Sequence, residues 1–111
     1  MCSSDLEVLA DQAAERVDDA LARGEALTAD ERGRVAIAVA EAKVLAHRAA
    51  IEVASQVFEL TGPGATSQRL GLDRFWRNAR THTLHDPVRW KYHAVGNFFL
   101  NDRLPPRHGA L

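Results

Sequence analysis

Between Gly33 and Gly62 the chain carries neither glycine nor proline, and two apolar stripes run along the stretch at helical spacing. One is Val35, Val39, Ala42, Ala46, Ala49, Val53 and Val57. The other is Ile37, Val44, Ile51 and Phe58, spaced by sevens. A surface helix needs one apolar stripe, so a helix with two packs against neighbours on two sides. Thr28 and Glu31 stand in capping-box spacing just before it. A single helix over about residues 28–60 is therefore predicted, helped by frequent alanine. A polar line of Glu41, Arg48, Glu52, Ser55 and Glu59 runs between the stripes. A chain of 111 residues offers too little other helix to cover both stripes, so further chain or partner subunits are expected.

The flanking segments read as shorter helices. Leu6, Leu9, Ala13, Val17 and Leu21 recur every three or four residues, which predicts a helix over 5–23 ended by Gly24. Thr61-Gly62-Pro63-Gly64 breaks the long helix. A third helix is predicted over 72–80, with Leu72, Phe75, Trp76 and Ala79 inward. Asp86 as N-cap and Pro87 as first helical residue open a fourth, with Val88, Tyr92, Val95 and Phe99 as its stripe. Pro105-Pro106 forbids its continuation. The expected fold class is an all-α helical bundle.

A formal net charge of −1 gives no general attraction to nucleic acid or to an anionic membrane. The single cysteine, Cys2, excludes an intrachain disulfide and a cysteine zinc site. No apolar run approaches the roughly 20 residues that span a bilayer, and no secretory signal pattern is present. A soluble cytoplasmic protein is expected. The first six residues can be encoded by GTG followed by TGC-TCT-TCC-GAT-CT, which resembles the end of a common sequencing adapter. Residues 1–6 are thus expected to be a non-native leader, 7–104 the bundle of a longer protein, and 105–111 a flexible tail.

Two segments carry chemistry. Gln56 to Thr66 ends a long helix in glycines, which let backbone approach a ligand and expose N–H donors; a plain C-cap and turn is the alternative. The second segment holds Arg74, Arg77 and Arg80 on one helix flank, followed by His82 and His85. The arginines can bind phosphate or carboxylate, or pair with the acidic line of the long helix. His82 and His85, expected at a helix–loop–helix corner, can give or take protons near neutral pH. His82, His85 and Asp86 could suggest a metal site, but no further ligand is evident and Asp86 is better used as the cap. His47, His93 and His108 have no such context and read as structural or surface groups.

Residues 40–100 resemble the C-terminal helical domain of acyl-CoA dehydrogenase-like proteins. The run Phe75-Trp76-Arg77-Asn78-Ala79-Arg80-Thr81-His82-Thr83-Leu84-His85-Asp86-Pro87-Val88-Arg89-Trp90-Lys91 is similar to the reduced-flavin monooxygenase branch. The resemblance implies a subunit of helices, a β-barrel and then this bundle. It further implies homotetramers, with flavin between the last two domains and in touch with a neighbouring subunit. Gln56, Gly62 and Gly64 match a Gln-x-x-x-Gly-Gly-x-Gly-like loop that approaches the flavin of the adjacent subunit, although Glu59-Leu60-Thr61 and Pro63 depart from it. Arg80 joins the cofactor-binding set.

Dehydrogenases of the family place a catalytic glutamate where this chain reads His82-Thr83-Leu84-His85. The monooxygenase branch instead uses reduced FMN (or FAD) and O2, with a histidine near the flavin that controls the oxygen-reactive cofactor. The resemblance therefore implies His85 as the catalytic group and His82 as its partner. It also implies a small organosulfur or similar substrate and a separate flavin reductase. Two other readings stand beside it: an acyl-CoA dehydrogenase with its base supplied elsewhere, and a non-catalytic helical interaction module.

Overall fold

The computed structural model describes residues 3–107; Cys2 and His108 lie outside the described residues. Among the described residues the fold is all helix. The elements are α1 (Ser3–Arg23), α2 (Ala29–Thr61), α3 (Asp73–His85) and α4 (Val88–Asn101). Short 3-10 turns at Gly24–Ala26 and Pro63–Thr66 link the first three.

The start of α2 follows from its capping box. The Glu31 N–H donates to Thr28 Oγ1 at 3.2 Å, and the Thr28 N–H donates to Glu31 Oε2 at 2.9 Å. Two backbone donors that the first helical turn leaves orphaned are thereby satisfied. The helix then runs without a breaker to Thr61, where Gly62 takes φ 79° and returns its N–H to the Phe58 carbonyl at 2.9 Å. That positive φ suits a residue without Cβ.

α2 is the spine against which α1, α3 and α4 all pack. The seven-spaced stripe lies inward: Ile37 and Val44 are buried, Ile51 and Phe58 half-buried. The other stripe is covered only in part. α1 folds back as a hairpin and brings Ala10, Ala13 and Val17 over Val39, Ala42 and Ala46. At 1.5 Å per residue, the 21 residues of α1 reach about 31 Å and the 33 of α2 about 50 Å. The far end of α2 therefore overhangs, with Val53 66% and Leu60 89% exposed.

The shape follows from that spine. The radius of gyration is 17.1 Å, against about 13 Å for a compact domain of this length. Among the described residues, six of the eight buried hydrophobic ones are alanines, while Phe99, Leu100 and Trp90 stay open to solvent. The helices approach closely through small side chains and leave several large ones outward.

Three expectations are corrected. α3 extends to His85 rather than ending near Arg80, because Thr81 and Thr83 donate back to the Arg77 and Arg80 carbonyls at 2.9 and 2.8 Å. His82 and His85 thus stand on its final turns, not in a corner loop. Asp86 does not cap α4: it ends α3 in extended conformation, the region that Pro87 imposes on its predecessor. Its carboxylate is taken by lysines instead. The inward faces also differ. Phe75 and Trp76 of α3 and Tyr92 and Phe99 of α4 are exposed, whereas Thr83, Lys91 and Ala94 are buried. The chain after α4 returns to α2: Arg32 Nη2 donates to the buried Pro105 carbonyl at 2.7 Å, and Leu104 rests on Gly33.

Candidate functional site

The end of α3 meets the middle of α2, and the titratable groups collect there. His82 and His85 are exposed on α3. His47 of α2 faces His82, with ring centroids 6.4 Å apart. Thr83, between the two α3 histidines in sequence, is buried and donates back to the Arg80 carbonyl within α3.

Asp86 is gripped from two helices. Lys43 Nζ of α2 donates to both its carboxylate and its backbone carbonyl, the latter at 3.3 Å. Lys91 Nζ of α4, 5% exposed as a residue, lies 3.5 Å from the same carboxylate oxygen. The hydrogen bond from Lys43, helped by the charge of Lys91, holds the Asp86 carboxyl below the usual carboxylate range. Burial pushes the His47 imidazole below its ordinary value, and the charges of Lys43 and His82 add to this; Asp86 opposes it. His47 Nδ1 is buried without a hydrogen-bond partner.

Two clefts flank this cluster. One of about 390 Å³ is lined by His47, Arg48, Glu52, Arg80, Thr83 and Tyr92, among others. The other, about 460 Å³, runs beneath Lys43, Asp86 and Lys91 towards Val17 and Val39. A larger hollow of about 880 Å³ lies at the opposite end, between the α1–α2 turn and Pro105, away from the histidines.

Arg80 is exposed at the mouth of the first cleft. Among the described residues no ion pair joins the three arginines of α3 to the acidic line of α2. Arg77 pairs with Asp73 one turn back at 3.7 Å, and Arg74 stacks 4.9 Å from the Phe75 ring centroid.

The glycine segment stands apart. Gln56 is exposed and donates to Glu52 Oε1 at 3.2 Å. Gly64 sits in the 3-10 turn with open space where a Cβ would be. From His47 to Gly62 the rise along α2 is about 22 Å. Arg80 thus shares a cleft with His47, while His82 meets His47 by its ring and His85 stands exposed near Asp86; Gly62 and Gly64 lie well beyond them along α2.

Lys43, His47 and Lys91 complete the cluster and carry little signal in the sequence, because helix-to-helix contact joins them. The one trace is that Lys43 and His47 are four apart and so share a helix face. Chemically, the arrangement offers two open imidazoles able to exchange protons, beside a carboxylate already neutralised by lysines. Among the described residues no three His, Cys, Asp or Glu side chains stand close enough to hold a metal ion, and no helix is long and apolar enough to cross a membrane.

Comparison with known proteins gives a consistent picture. The family model "Acyl-CoA dehydrogenase, C-terminal domain" matches residues 6–90. A dibenzothiophene monooxygenase of Mycolicibacterium goodii is 46% identical over 99 residues, covering 89% of this chain and 24% of that protein. The "Probable FMNH2-dependent monooxygenase SfnC" of Pseudomonas putida is 46% identical over 100 residues, 90% of this chain and 25% of its own length. The crystal structure of FMN-bound TdsC from Paenibacillus sp. A11-2 superposes with a TM-score of 0.90 at 43% identity, covering 97% of this chain and 27% of that one. The chain thus spans about a quarter of the length of these relatives.

Proposed function

The chain belongs to the acyl-CoA dehydrogenase C-terminal domain family, and from that premise we propose that it forms the C-terminal bundle of a flavin-dependent monooxygenase acting on a small organosulfur compound. One observation carries the choice of chemistry. The end of α3 offers imidazoles, and its nearest carboxylate, Asp86, is already held by Lys43 and Lys91. A carboxylate paired with two ammonium groups is a poor base for removing a thioester α-proton, the step on which dehydrogenation depends. The names of two relatives point the same way, to monooxygenases, one of them FMNH2-dependent.

The residues present fit a flavin edge. His82 and His85 are open to a ligand, and Leu84 between them is 54% exposed. An apolar side chain left open beside titratable groups suits a planar aromatic partner. The chemistry supplied by reduced flavin, were it bound here, would be two electrons for O2, one oxygen atom going to the substrate and the other leaving as water. This chain's part is proton control and shielding. His85 holds or moves a proton at its imidazole beside the cofactor, His82 assists it, and Arg80 offers a cation at the mouth of the neighbouring cleft. The rise of about 22 Å between His47 and Gly62 supports service to two different flavins. His85 would serve one; Gln56, Gly62 and Gly64 would approach that of an adjacent subunit in a homotetramer. FMN, a separate reductase and a cytoplasmic setting complete the proposal.

The test uses the full-length protein with reduced FMN, O2 and dibenzothiophene as probe. His85→Ala is expected to raise hydrogen peroxide released per turnover and to cut product on the order of a hundredfold, as general acid–base contributions do. Unchanged coupling, or oxidation of an acyl-CoA with an artificial electron acceptor, would overturn it.

A further inference from the structure

The residue that follows His85 is held at both its side chain and its own carbonyl, in the peptide joining it to Pro87. Asp86 is the C-cap residue immediately after α3 and precedes Pro87 in extended conformation. Lys91 already gives its carboxylate a cation from α4. Lys43 adds a second from α2 and also donates to the Asp86 backbone carbonyl at 3.3 Å. A carbonyl at a helix C-terminus has no intrahelical partner. A long, mostly buried lysine from the central helix is thus spent on one residue's side chain and main chain together.

From this geometry we infer that Lys43 is a positioning residue for His85: by holding the carbonyl and carboxylate of Asp86, it sets the direction in which the His85 imidazole leaves α3. The inference rests on the monooxygenase reading for the use made of His85, but the clamp itself is a property of this chain. Two anchor points on one residue fix both its peptide plane and its side chain, where a single ion pair would leave the plane free to rotate. Lys43 lies on the spine helix, so the direction is referred to the element against which all the others pack. Lys91 alone ties α3 only to α4, which itself is held by α2.

Lys43→Met keeps the aliphatic stem and removes the donor. In the full-length, flavin-free protein, amide exchange in peptides spanning residues 84–90 is expected to rise about tenfold, while exchange in α1 stays unchanged. With reduced FMN, O2 and dibenzothiophene, kcat should fall and peroxide release rise, with KM little changed. Lys43→Arg, which preserves charge and donors, should restore both. The double variant Lys43→Met/His85→Ala should be no worse coupled than His85→Ala alone, because a group acting through His85 has nothing left to act on. Where Lys43→Met does not fold, Asp86→Asn carries the same test, with a smaller rise in exchange because the carbonyl contact remains.

Unchanged exchange at 84–90 would overturn the clamp, and an equal loss in the His85→Ala background would overturn the positioning role. A His85→Ala single variant with normal coupling would instead defeat the monooxygenase reading. The exchange measurement would then still decide whether Lys43 holds this peptide.

Discussion

The imidazole of His47 on α2 lies 6.4 Å from that of His82 on α3, centroid to centroid, with the ring planes 35° apart. His47 faces Lys43 and His82, both of which disfavour its charged form, and Asp86, which favours it; burial is the largest influence and lowers its pKa. In the unfolded chain the same group titrates near 6.5. Below that pH the unfolded state binds more protons than the folded one, so stability rises with pH through this window and is lost as pH falls. His47→Phe removes the titration and gives up no hydrogen bond at Nδ1, which has none. The variant's melting temperature is expected to vary less between pH 7 and pH 5 than that of the parent. Parallel pH profiles would contradict this account.

Acid should act again lower down, at the start of α2. Hydrogen bonds from the Thr28 backbone and the Arg23 side chain bring the Glu31 carboxyl down from 4.5 to about 2. A depressed carboxyl stabilises the fold above its unfolded pKa and loses that contribution as pH falls through the folded one. The acid limb between pH 4.5 and about 2 should therefore flatten in Glu31→Gln, followed by circular dichroism at 222 nm. Thr28→Ala, which deletes the cap itself, is expected to cost about 1 kcal/mol at neutral pH.

The contact between Gly33 and Leu104 sets two effects against each other. Alanine in place of a helical glycine gains about 1 kcal/mol of helix propensity. At this position, however, the new Cβ would come within 2.9 Å of Leu104 Cβ, the root of that side chain rather than its flexible end. The returning segment must shift, loosening the Arg32 hydrogen bond to Pro105. Gly33→Ala is expected to be neutral or destabilising in urea and to speed tryptic cleavage at Arg103. In a Leu104→Gly background the sign should reverse, since the colliding atom is gone. Equal effects in both backgrounds would show that the two residues are not coupled.

The sequence carried the spine and its cap, because hydrophobic period and capping chemistry are local. Thr28, Glu31, Gly24 and Gly62 all act where their spacing puts them. It carried the family likeness of the run that holds His82 and His85. It did not carry the use of Asp86. An Asp-Pro pair reads locally as a helix start, and only the approach of Lys43 from 43 residues away turns it into a clamp. Nor did it carry His47, whose partner His82 is supplied by a different helix. The inward faces of α3 and α4 depart from the pattern because it marks apolar side chains, not which of them this chain alone can cover. Phe75, Trp76 and Phe99 form stripes, yet the helices meet through Thr83, Lys91 and Ala94.

Those uncovered stripes make a last prediction. Beyond the reach of α1, the end of α2 leaves Val53 66% and Leu60 89% exposed, and Leu100 on α4 is 84% exposed. Apolar side chains open to this degree contribute almost nothing to the fold of one chain, but each buries favourably against another surface, at about 25 cal/mol per Å². The isolated 111-residue chain should therefore self-associate in proportion to concentration, with a sedimentation mass above its monomer value of 12.2 kDa. Val53→Glu with Leu60→Glu should lower that mass towards the monomer while leaving helical content unchanged, because neither position loses an intrachain contact of consequence. A fall in helicity on the same substitutions would mean that the overhang is already covered within the chain. An unchanged mass would place the association on the faces of α3 and α4 instead.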